Sequence, residues 1–108
     1  MKRKVRVAGD RARVEMATAM AAGALDRTYD EVSGDGRCVK AVFARQVAMY
    51  IATVGFGMSC ARVAAAMGRD RSTVAYACRA VEERRDDPAF DRWIEALEQS
   101  AAMAPVMT

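Results

Sequence analysis

Residues 68–85 read GRDRSTVAYACRAVEERR, and their chemistry is concentrated at the start. Arg69 and Arg71 flank Asp70, and Ser72 and Thr73 follow before an apolar rhythm begins. A guanidinium is permanently charged and carries its N–H donors in a planar fork. It therefore pairs two-fold with a carboxylate, a phosphate or the edge of a guanine, and neighbouring hydroxyls donate or accept beside it. Placed in the first turn of a helix, where core residues would otherwise stand, these side chains form a contact surface for an anionic partner. Val74, Cys78, Val81 and the aliphatic stem of Arg85 supply a buried stripe. At about 100° per residue, Ser72, Tyr76, Arg79 and Glu83 fall on the opposite side.

Positioning such a surface takes a fixed helix start. Asp70 is the natural N-cap, with Thr73 three residues on. Ahead of it a shorter helix is expected, capped by Ser59, with Val63, Ala64 and Met67 inward and Gly68 at the terminal left-handed position. Two helices joined through a glycine turn in this way make a helix-turn-helix. Its second helix fits the major groove of B-DNA, its first residues reach base edges, and its free N–H groups favour a nearby phosphate. Arg69 and Arg71 then serve phosphate or guanine, while Ser72 and Thr73 donate to a base or present a methyl to thymine. The same residues also fit an ordinary helix hairpin with a solvated charge run.

The remaining segments read as helices too. Val14, Ala17, Ala21 and Ala24 recur at helical spacing from Arg11 to Leu25, with Asp10 as the expected N-cap. Asp30, Ser33, Gly34, Asp35 and Gly36 then form a loop that presents Arg37. From Val42, residues Phe43, Val47, Tyr50, Ile51 and Val54 follow helical spacing until Gly55 and Gly57 stop it. Asp87 and Pro88 open a last helix, whose stripe of Phe90, Trp93, Ile94 and Leu97 is expected to be the heaviest part of the core. The expected fold is all-α, a small multi-helix domain. Residues 10–98 form the helical domain, residues 1–9 a basic, flexible arm and residues 99–108 a disordered tail.

Composition agrees and excludes alternatives. With 108 residues, 53% hydrophobic and rich in alanine and methionine, the chain suffices for one helical domain. Its formal charge is +3, a mild basic bias, with cations at Lys2, Arg3, Lys4 and Arg6 and carboxylates gathered in the last helix. No apolar run reaches membrane-spanning length and no signal-peptide core follows the basic start, so a cytoplasmic, nucleoid-associated place is expected and a membrane partner is not. There is no histidine, and Cys38, Cys60 and Cys78 form no CxxC pair, so no metal and no cofactor are expected. Cys60 and Cys78 read as small buried hydrophobes. No nucleophile stands beside a base, which argues against an enzyme.

Two co-linear motifs make the reading more specific. ARQVAMYIATVG, residues 44–55, and MGRDRSTVAYACRAVEE, residues 67–83, resemble the C-terminal DNA-binding domain of the bacterial chromosomal replication initiator DnaA. The resemblance extends over about residues 10–98. It implies an all-helical domain with a helix-turn-helix. It also implies a minor-groove role for Arg37, backbone contacts from Arg45, Gln46 and the turn Ser59 to Arg62, including Ala61, and base contacts from Asp70, Arg71, Ser72 and Thr73. The sequence departs from the family pattern at three places. Arg71 stands where the family has a histidine, Ala61 where it has a proline, and the basic loop is reduced to GDGRCVK. A guanidinium at Arg71 favours guanine or phosphate and implies a changed target sequence.

The expected function is sequence-specific binding of double-stranded DNA, as a small transcriptional regulator or replication modulator. No GxxxxGK[ST] phosphate loop occurs, so no ATPase activity is expected. Self-association or a replication or transcription protein would add affinity. The alternative is a protein–protein adaptor on the same scaffold, favoured by the weakened loop and the acidic last helix. Against it stand Arg45, Gln46, Arg69, Asp70 and Thr73, polar residues for which packing alone offers no reason.

Overall fold

The computed structural model describes residues 2–104. Six α-helices follow in order: α1 (Lys2–Leu25), α2 (Tyr29–Ser33), α3 (Val39–Tyr50), α4 (Cys60–Met67), α5 (Arg71–Arg84) and α6 (Pro88–Met103). Helix α3 runs on into a π-helical turn, Ile51–Gly55. None of the described helices is long and apolar enough to cross a membrane.

Local chemistry sets most helix ends. The Ser59 hydroxyl accepts from the Arg62 amide and starts α4. Gly68 ends it at φ 65°, ψ 40°, a left-handed conformation that a Cβ would strain. The Asp87 carboxylate accepts from the Phe90 amide at 3.3 Å, and Pro88 occupies the first turn of α6, where its missing N–H costs nothing. Asp70 precedes α5 in an extended conformation, but its carboxylate makes no capping bond.

Three expected element bounds are corrected. Asp10 caps nothing: α1 begins at Lys2, so residues 2–9 are helical rather than an arm, and Asp10 lies buried in the helix interior. Residues Tyr29–Ser33, read as loop, form a helical turn started by a capping box, in which Thr28 accepts from the Glu31 amide and Glu31 accepts from the Thr28 amide. Helix α6 continues through Met103, so residues 99–103 are helical as well; the rest of the expected tail, 105–108, lies outside the described residues.

The core sits between α1, α3, α5 and the π turn, and its largest fully buried side chains are Tyr50, Met49 and Ile51. The last helix is therefore not its heaviest part: Ile94 is fully buried, whereas Phe90, Trp93 and Leu97 are half-buried against the core. Helix α6 packs onto the π turn at Gly55, where a Cβ would meet the Ala101 Cβ at 2.8 Å, so the glycine there allows close approach. A polar hub locks the same joint. Tyr50 donates its hydroxyl hydrogen to Glu82, while Arg85 donates to the Tyr50 hydroxyl at 2.9 Å, to Asp91 at 2.5 Å and to Glu98. Burial and the Glu82 bond raise the Tyr50 pKa above its ordinary value, so the phenol stays protonated and donating.

Candidate nucleic-acid interface

Helices α4 and α5, joined by Gly68, Arg69 and Asp70, make the helix-turn-helix. Val74, Ala77 and Val81 bury one stripe of α5 completely or nearly so. Cys78, expected on that stripe, is only half-buried; its thiol lies 3.1 Å from the Thr53 hydroxyl, and Cys60 is half-buried as well. The outward side of α5 carries Arg71, Ser72, Thr73, Tyr76 and Arg79, all exposed, with 62% of Tyr76 accessible. None of these five side chains makes an intramolecular hydrogen bond or ion pair among the described residues. They form a free polar surface along the N-terminal half of a well-anchored helix. Thr73 and Tyr76 meet Gln46 of α3 across a shallow cleft of about 240 Å³, floored by Met49.

The expected backbone-contacting arginines behave differently. Arg45 is 8% exposed and donates from Nε to the Val32 carbonyl at 3.0 Å, from Nη1 to Gly36 at 3.1 Å and from Nη2 to Glu31 at 2.9 Å. Arg69 donates from Nη2 to the carbonyls of Ser33 at 3.2 Å and Gly34 at 2.6 Å, and pairs through Nη1 with Asp35 at 2.6 Å. The two guanidinia together hold residues 31–36 by donating to the carbonyls of Glu31, Val32, Ser33, Gly34 and Gly36. Burial first, and the neighbouring Arg69 charge second, pull the Arg45 pKa below its ordinary value. Two of the five polar residues thought to have no packing reason, Arg45 and Arg69, thus have one. Arg45 and Arg69 tie the loop to α3 and to the helix-turn-helix turn, and the loop presents Arg37, which is exposed and unpaired among the described residues.

Arg62 is also engaged. Its Nε donates to Asp10 Oδ2 at 2.9 Å and its Nη2 to Asp10 Oδ1, a two-fold grip that raises its pKa. Arg13 adds a looser contact to the same carboxylate at 3.8 Å. Ser59 is occupied as a cap, Ala61 is exposed beside it, and Asp70 stands exposed at the start of α5. Sequence reasoning gave Asp10 the wrong role, as a cap, and missed the capping box of α2 and the Arg84 guanidinium over the Phe43 ring, 4.2 Å from its centroid. Of these, Thr28-x-x-Glu31 was legible as a motif.

Comparison with known proteins follows the same lines. A family model described as the bacterial dnaA protein helix-turn-helix matches residues 17–81. The chromosomal replication initiator protein DnaA 2 of Chlamydia pneumoniae is 35% identical over 66 residues, 60% of this chain and 15% of that protein. Its counterpart in Chlamydia trachomatis serovar D is 37% identical over 60 residues, 56% of this chain and 13% of that one. A crystal structure of a DNA replication initiation factor is similar with a TM-score of 0.80 and 27% identity, covering 94% of this chain and 31% of that chain. The chain thus spans less than a sixth of the length of these curated relatives.

Proposed function

The chain belongs to the bacterial DnaA helix-turn-helix family, and from that membership we infer that it binds double-stranded DNA sequence-specifically, as a small transcriptional regulator or a replication modulator. The observation that carries this is the free surface of α5. Arg71, Ser72, Thr73, Tyr76 and Arg79 have no partner within the described part of the protein, while Arg45, Arg62 and Arg69 nearby are all engaged. In the major groove, Arg71 takes the first-turn position from which a guanidinium reaches guanine O6 and N7. Arg37 on the clasped loop takes the adjacent minor groove, Gln46 lies along the backbone, and Asp70, Ser72 and Thr73 complete the base-facing turn. Arg45 and Arg69 act mainly through the loop that they position.

The adaptor reading keeps the weakened loop GDGRCVK but loses part of its other support. Asp91 and Glu98 of the acidic last helix are paired with Arg85, and the aromatic stripe of α6 packs on the core rather than standing free. Self-association, tandem sites or a replication or transcription protein would add the affinity that a small interface lacks, and a nucleoid location follows from DNA binding itself.

Selection of bound fragments from a randomised duplex pool tests this. Enrichment of one short motif, with a guanine whose replacement weakens binding, is the expected outcome. A pool that stays random after repeated rounds at moderate salt would remove sequence-specific binding.

A further inference from the structure

Lys2, Arg3, Lys4 and Arg6 crowd the first turns of α1, all of them exposed. None is in an ion pair among the described residues. A charged helix end has no direction of its own; here Asp10 supplies one. Arg3, Arg6 and Asp10 are spaced i, i+3, i+7 and share one helix face. On that face Asp10, 6% exposed, is gripped by Arg62 in the first turn of α4. Val7 joins Asp10 and Arg62 in lining a small cleft between the two helices. The stripe is therefore turned toward α4 at a fixed angle.

In a helix-turn-helix the first helix crosses the phosphate backbone while the second enters the groove. Helix α4 is that first helix, and Arg62 keeps 41% of its side chain exposed, with Nη1 unused by Asp10. From Asp10 back to Arg3 the helix rises about 10 Å, the axial span of about three phosphates on one strand. We propose that Arg3 and Arg6, continued by Arg62, form a second duplex-binding surface that grips phosphates flanking the site read by α5. This rests on the duplex-binding reading and extends it: the arginines add affinity and footprint without adding base recognition. A lipid surface fits the segment less well. Its exposed apolar residues, Val5 and Val7, point about 160° apart and make no continuous apolar face for a bilayer.

The test compares the parent with Arg3→Ala, Arg3→Ala/Arg6→Ala and Lys4→Ala, whose side chain projects from another part of the helix. Affinity is measured over a range of salt for the selected site with long flanks, for the same site trimmed of its flanks, and for a scrambled duplex. The double variant is expected to lose the same factor on both long duplexes and to show a salt slope shallower by about two, Arg3→Ala by about one. Lys4→Ala keeps the parent slope, and trimming the flanks abolishes the difference between parent and double variant. Equal losses from Lys4→Ala and Arg3→Ala would overturn the proposal, as would a double variant that binds every duplex like a parent that itself binds. A double variant that loses only its attachment to anionic vesicles would overturn it in favour of a membrane. A parent that binds no duplex would remove the underlying reading, and this surface with it.

Discussion

The loop at residues 31–37 and the first turns of α5 both depend on arginine, and they use it in opposite ways. Around the loop, Arg45 donates to three backbone carbonyls and Arg69 to two more and to Asp35, and both become part of the frame. On α5, Arg71 and Arg79 spend none and remain available. A buried guanidinium must be satisfied within the protein, because its desolvation is costly, whereas an exposed one stays hydrated until a partner displaces the water. A basic surface can therefore be read only after the arginines that build the protein have been subtracted from those that face outward.

Breaking the frame has the largest expected effect. Arg45→Ala leaves the carbonyls of Glu31, Val32 and Gly36 without their donor and is expected to destabilise the domain by about 1 to 3 kcal/mol. Denaturant unfolding measures this, and a midpoint close to the parent's would return Arg45 to the phosphate-contacting set.

On the other side of the comparison, Arg71→Ala is expected to leave stability within about 0.5 kcal/mol of the parent. It should cost about 1 to 3 kcal/mol of binding on the preferred duplex and much less on a scrambled one. Uniform weakening on every duplex, with a salt slope shallower by about one, would instead assign Arg71 to phosphate.

Arg69 lies between the two regions and sharpens the contrast. Arg69→Ala is expected to cost about 1 to 2 kcal/mol of stability, since its Asp35 partner is solvent-exposed while its carbonyl partners are less so. Amide exchange should quicken at residues 33–37, and duplex affinity should fall because Arg37 is no longer held. Loss of affinity with unchanged exchange would mean that Arg69 touches DNA directly. Arg37→Ala is a smaller change. Binding should weaken at constant stability, and equal affinity of mutant and parent at the same salt would take Arg37 out of the interface.

The smallest effect concerns the capping box that starts α2. The Thr28 backbone bond, first among several causes, holds the Glu31 pKa below its ordinary value. A carboxylate with a depressed folded pKa contributes stability that is present above its unfolded value and lost as pH falls through the folded one. Glu31→Gln should accordingly flatten the acid side of the stability profile slightly. An unchanged profile would show that the box contributes nothing measurable to the loop's frame.

Much of the architecture was legible because it is local. Ser59, Gly68, Asp87 and Pro88 act on amides or torsions within a few residues, so their roles follow from neighbours along the chain. The box at Thr28 and Glu31 was equally local, but the cluster of Asp, Ser and Gly beside it reads as loop. Asp10 was a different matter: as an acidic residue ahead of an alanine-rich helix it looks like a cap, and its partner Arg62 lies 52 residues away in sequence.

The sequence by itself determined the helical class, the helix-turn-helix with its turn at Gly68, and the outward set Ser72, Tyr76, Arg79 and Glu83 beside Arg71 and Thr73 in the first turn, because helical periodicity and caps are properties of short segments. Only the tertiary structure decided what each remaining arginine does. An arginine side chain is long enough to reach either solvent or a distant carbonyl, and its neighbours in sequence do not distinguish the two. Packing of α3 and the α4–α5 turn against residues 31–36 brought unpaired carbonyls within reach of Arg45 and Arg69, and packing of α1 against α4 brought Asp10 to Arg62.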